Sequence, residues 1–124
     1  MSNYNDILGH RIGGWRSGDE DAEVAEHLDF IEDIDLSEPD YSFDLLRIYV
    51  RRHDGMLLWA TDSGCSCPSP FEDVAVSELK ESTLSTFTDA VMGEVAEGYS
   101  SRPIAEVRRD IADALATAKS RGAR

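Results

Sequence analysis

The stretch FDLLRIYVRRHDGMLLWATD, residues 43–62, leaves this chain few ways to fold. Two runs rich in Leu, Ile, Val, Tyr and Trp flank Asp54-Gly55, a dipeptide that readily takes positive φ values. That pattern predicts an antiparallel hairpin with strands over 43–52 and 56–61. An isolated hairpin is marginal in water, so a third strand is needed. Residues 24–36 supply a candidate: Val24, Leu28, Phe30, Ile34 and Leu36 fall on even positions and most odd positions are polar, the period of a half-buried strand. Pro39-Asp40 breaks the run.

One face of such a sheet must be covered, and two helical patterns follow it. Over 83–97, Leu84, Phe87, Val91 and Val95 form one stripe, and Gly98 suits a left-handed cap. Over 103–120, Pro103 suits the first turn and Ile104, Val107, Ile111 and Leu115 form the stripe. Gly122 follows the last turn, and Lys119 and Arg121 suit its negative end. The expected fold class is α+β: an antiparallel meander of about three strands followed by two C-terminal helices packed on one face. Leu46, Ile48, Val50, Leu58, Phe87, Val91, Val107, Ile111 and Leu115 are the expected core.

A chain of 124 residues is expected to be one domain, here 19–124, preceded by a mobile arm over 1–18. The four glycines of GHRIGGWRSG favour mobility in that arm, while Ile12 and Trp15 offer it anchors. The opening MSNYNDILGH lacks the basic and apolar regions of an export signal, and no apolar run approaches the roughly 20 residues of a membrane span. A cytoplasmic location is expected, with both cysteines reduced.

Charge is the second constraint. The net charge is −13, and residues 19–44 hold 12 of the 25 acidic residues and none of the 12 Lys and Arg. Direct binding to nucleic acid or an anionic membrane needs a basic footprint, so neither is expected. A protein partner with a basic surface is favoured instead. On a regular strand Asp29, Asp33 and Asp35 share one face, where alternate residues lie about 6.6–6.8 Å apart, close to the spacing of neighbouring backbone phosphates. Those three carboxylates are the candidate contact residues, and nucleic-acid mimicry is one form the contact can take.

The loop TDSGCSCPSPFED, residues 61–73, allows several readings. A zinc site needs four ligands, and Cys65 and Cys67 supply two at unusually tight spacing, with His10, His27 and His53 dispersed elsewhere. A redox site favours C-x-x-C at a helix N-terminus, which C-x-C followed by Pro does not provide. A rigid turn shaped by Gly64, Pro68 and Pro70 fits better, with Phe71 returning the chain to the core. Ser63, Gly64, Cys65, Ser66, Cys67 and Ser69 then form a candidate polar contact surface. The block DLSEPDYSFDLLRIYVRRHDGMLLWATDSGCSCPSPFEDV, residues 35–74, resembles small proteins encoded by bacteriophages of actinobacteria, which share an acidic segment, a hairpin and an SGCSCPSPFE-like loop. The resemblance implies a phage origin, a location in the host cytoplasm and a similar fold, and it carries no activity.

No complete catalytic motif is present. Ser77-Glu78-Leu79-Lys80 matches S-x-x-K without its companion elements, and no phosphate-binding Gly motif occurs. The DEDAE and EDID runs lack the Gly-centred spacing of a calcium loop. The expected function is that of a small acidic, phage-encoded, non-enzymatic accessory protein without cofactor, monomeric or weakly self-associating, that binds a host or phage protein. The alternative is a metal-binding or thiol-dependent module centred on Cys65 and Cys67.

Overall fold

A computed structural model describes residues 3–13, 22–37, 42–65, 70–97 and 102–124. Four antiparallel strands form one sheet in the order β1-β2-β3-β4: β1 Leu28–Asp35, β2 Ser42–Arg51, β3 Leu57–Cys65 and β4 Lys80–Ser82. Helices α2 Leu84–Glu97 and α3 Ile104–Ser120 follow, so the α+β class holds, with one strand more than expected. β4 pairs only with Leu57–Trp59, and its polar Lys-Glu-Ser sequence carries no strand period to read.

The hairpin is where the sequence placed it. Its connection is the five residues Arg52 to Met56, closed by Gly55 N–H to the Arg51 carbonyl at 2.7 Å and Arg51 N–H to the Met56 carbonyl at 2.8 Å. Gly55 sits at φ 75, and a Cβ there would lie 2.4 Å from the Gly122 carbonyl oxygen, so only glycine fits.

The segment expected as one strand over 24–36 is divided. Residues Ala22–His27 form a short helix, α1, and only then does β1 begin. Val24 is buried by this helix. The strand itself is irregular: Phe30 opposes Tyr49 and Glu32 opposes Ile48, so Ile31 is an extra residue, a β-bulge. A one-residue insertion exchanges the faces of everything after it. Leu28 and Phe30 therefore lie on one side of the sheet, and Ile31, Ile34 and Leu36 on the other.

Both faces of the sheet are covered. Leu46, Ile48, Val50, Leu57 and Trp59 pack under Phe87, Val91, Val107 and Ile111 of the two long helices, with Leu115 half-buried at the margin. The opposite face carries Leu45, Tyr49, Leu58 and Ala60. Among the described residues no long helix covers it. Its lid is irregular: a 3-10 turn at Tyr4–Ile7, the chain to Ile12, α1, and the segment from Phe71 to Leu79. Ile12 is only 4% exposed and Ile7 is fully buried, so within residues 3–13 the anchored form of the expected arm is the one observed. Trp15 and Gly98 lie outside the described residues.

Candidate functional site

The bulge decides how the acidic strand is used. Asp29 pairs across the sheet with Val50 on the helix-covered face, whereas Asp33 and Asp35 pair with Arg47 and Leu45 on the opposite face. The three carboxylates expected on one face are therefore divided, and two are already engaged. Asp29 accepts from Arg121 Nη1 at 2.9 Å and lies 3.7 Å from Arg52. Asp33 takes both arms of Arg47, Nε at 2.8 Å and Nη2 at 2.8 Å. Only the Asp35 carboxylate, which is exposed, has no cation among the described residues.

Arg47 is the most unusual group in the molecule. Its side chain is fully buried, with Nη1 donating to the Ile12 carbonyl at 2.8 Å and its guanidinium 4.4 Å from the Phe71 ring centroid. Burial acts to lower its pKa. The Asp33 hydrogen bonds and charge, with Tyr49 adding to them, outweigh burial and raise it, so the group stays charged.

α3 lies beside β1 and runs against it. Helix rise makes α3 about 25 Å long and strand rise makes β1 about 26 Å, so the helix spans the whole strand. An arginine near each end of the helix meets it: Arg121 Nη1 reaches the Phe30 carbonyl as well as Asp29, and Arg102 Nη1 donates to the Asp35 carbonyl at 2.7 Å and to Asp110 Oδ2 at 2.9 Å. The Asp110 hydrogen bond is the largest influence on Arg102 and raises its pKa; burial opposes this, and the charges of Asp110 and Glu106 reinforce it.

Between β1 and the first half of α3 lies a cleft of about 260 Å³ lined by Glu32, Asp33, Ile34, Asp35, Arg102, Asp110 and Asp113. Asp33 is held by Arg47 and Asp110 by Arg102. Glu32, Asp35 and Asp113 are exposed and make no ion pair with a described residue. This is the candidate site. Of its lining, Asp33 and Asp35 were legible in the sequence, whereas Asp110 and Asp113 needed the placement of α3 against β1. Their i, i+3 spacing on the polar side of the helix was the available signal.

The cysteine loop leaves the same end of the sheet, since Ser42 pairs with Cys65 and Asp35 with Leu45, but β2 separates it from the cleft. Ser63 is exposed and Gly64 half-buried; Ser66, Cys67 and Ser69 lie outside the described residues. The far side of the loop is fixed: Pro70 and Phe71 are buried, Phe71 takes φ 60, and its N–H donates to Asp62 Oδ2 at 2.7 Å. Opposite Ser63, burial pushes the Asp44 carboxyl up. Among the described residues no three His, Cys, Asp or Glu side chains are placed to hold a metal ion. His53 stands at the hairpin turn, the opposite end of β3 from Cys65, with its ring 5.5 Å from that of Tyr4. Of the S-x-x-K residues, Ser77 is exposed and its main-chain N–H donates to the Leu8 carbonyl, and Lys80 pairs with Glu94 over the Trp59 ring.

A family model described as "Domain of unknown function (DUF7574)" matches residues 20–121. The match reaches well beyond residues 35–74, into both long helices. No curated protein and no solved structure matches the chain. No helix among the described residues is long and apolar enough to cross a membrane.

Proposed function

The chain belongs to that family of unknown function, and from this premise we propose that it is a binding module whose β1–α3 cleft receives an arginine- or lysine-bearing segment of a partner protein. The supporting observation is the charge imbalance of the cleft. Glu32, on the helix-covered side of β1, and Asp113, on α3, line it, and Asp35 lines it from the end of β1 with its side chain on the opposite face; none of the three pairs with a described cation. Arg102 shows how a guanidinium is accommodated there: one donor goes to a carboxylate and one to a β1 carbonyl. A second guanidinium a few ångströms along the strand would meet the same two kinds of acceptor.

The net charge of −13 works in the same direction, because a cleft of one sign concentrates oppositely charged segments and speeds their encounter. Mimicry of a phosphate row by Asp29, Asp33 and Asp35 is not part of this reading, since the bulge divides them between two faces. The test is an amide-shift titration of isotope-labelled protein with a short arginine-containing peptide. The expected shifts cluster at residues 32–35 and 102–113. Shifts spread over the acidic surface, or confined to the segment around Ser63, would remove the cleft from its role.

A further inference from the structure

We infer that the sheet face over Arg47 is a peptide-binding groove, filled here by the chain's own residues 3–13 and able to accept the same residues from a second copy of the chain. The groove lies on the opposite face from the two long helices, and the inference is independent of the acidic cleft.

Three kinds of contact seat the segment, a 3-10 turn at Tyr4–Ile7 followed by a bonded stretch from Leu8 to Ile12, and together they are those of a bound peptide rather than a core element. Main-chain bonds come first: Ile12 N–H to the Val74 carbonyl at 2.9 Å, Val76 N–H to the His10 carbonyl at 2.9 Å, and Ser77 N–H to the Leu8 carbonyl at 3.0 Å. Two aliphatic side chains five residues apart come next, Ile7 at 0% and Ile12 at 4% exposure, buried in one cluster with Leu45, Tyr49, Leu58, Phe71 and Val76. The third is the buried cation, whose Nη1 donates to the Ile12 carbonyl at 2.8 Å. A fully buried guanidinium aimed at a main-chain carbonyl reads the backbone of whatever extended segment lies there.

The wall of the groove and its occupant lie on opposite sides of the family match's boundary. Every wall residue named above falls within the family match at residues 20–121, whereas the occupant lies outside it. The two are joined through residues 14–21, a stretch that includes Gly14 and Gly18. The covalent link makes seating of the segment intramolecular, so the cis form dominates in dilute solution and exchange becomes visible once the link is cut.

The experiment uses the full chain with a specific protease site replacing residues 16–18, cut after folding so that the segment stays seated without a covalent link. A fluorescent synthetic peptide of residues 3–13 is then titrated in, followed by anisotropy and by near-ultraviolet circular dichroism. Saturable exchange with the dichroism preserved is expected. Peptides carrying Ile7→Asp or Ile12→Asp should bind at least about tenfold more weakly, equivalent to about 1.4 kcal/mol. The uncut chain should bind the labelled peptide at least about tenfold more weakly than the cut chain, because its own segment competes. Failure of the peptide to exchange, loss of the dichroism as the segment leaves, or equal binding of the Asp-bearing peptides would each show that residues 3–13 are ordinary core.

Discussion

The two faces of the sheet solve the same problem by opposite means. The helix-covered face has an apolar centre, built from Leu46, Ile48, Val50, Leu57 and Trp59 against residues recurring at helical spacing on α2 and α3, with Asp29, Glu32 and Ser82 at its margins. The opposite face is closed, among the described residues, by segments with no long helix or strand of their own, and it buries a charged arginine. Burial of area stabilises the first. The second depends on geometry, because a buried cation is tolerated only while its partners are in place. Stability on the first face is therefore spread over many contacts, and on the second it is concentrated in one residue.

That contrast makes Arg47→Met the most damaging substitution expected. It leaves the Asp33 carboxylate without its bidentate partner and withdraws a donor from Ile12, at a cost of about 3–5 kcal/mol. Urea denaturation measures it, and hydrogen exchange should show the amides of Ile12 and Val76 losing protection before those of α3. A cost below about 1 kcal/mol would mean that the irregular face does not rest on this group. On the helix face, Ile111→Ala should cost about 2–5 kcal/mol through lost burial and the cavity left behind. Its effect should be global, lowering protection on both faces together. Selective loosening of residues 3–13 by Ile111→Ala would contradict the division.

A smaller effect is expected from pH. Asp54 is held down at about 2, first by its hydrogen bonds to Arg51, with burial opposing and the Met56 N–H assisting. An unfolded aspartate titrates near 3.9, so this contribution is complete above about pH 4 and is lost as the pH falls towards 2. Denaturation midpoints between pH 5 and 2 should fall less steeply for Asp54→Asn than for the parent. Equal slopes would show that the hairpin-turn pair does not contribute.

The same contrast explains what was legible in the sequence. Leu46, Ile48, Val50, Phe87, Val91, Val107 and Ile111 could be assigned to the core because strand and helix periods leave a trace in a linear sequence. Leu58 was also correctly assigned to the interior, although it belongs to the other face. The irregular face left no such period: Phe71 and Ile12 could be read as interior or anchoring residues one at a time, but their meeting with Ile7 and Arg47 rests on contacts between residues far apart in the chain. The bulge at Ile31 is equally silent, since alternation in 24–36 continues to suggest one regular strand while the faces exchange. For the site, the acidic bias of β1 was readable and its division was not. One consequence is that replacing Asp29, Asp33 and Asp35 by Asn, which treats them as a uniform surface, would also disturb the Arg47 pair.

The substitution that leaves both faces intact is Glu32→Gln with Asp35→Asn and Asp113→Asn. None of these side chains has an ion pair with a described residue, so stability should stay within about 0.5 kcal/mol of the parent. The direct measurement is the association rate of an arginine-containing peptide with parent and triple variant at two ionic strengths. The expected result is a slower on-rate for the variant and a weaker dependence on salt, because the charges that steer the encounter have been removed while the cleft keeps its shape. Identical on-rates and identical salt slopes would contradict the assignment of the β1–α3 cleft as the recognition site.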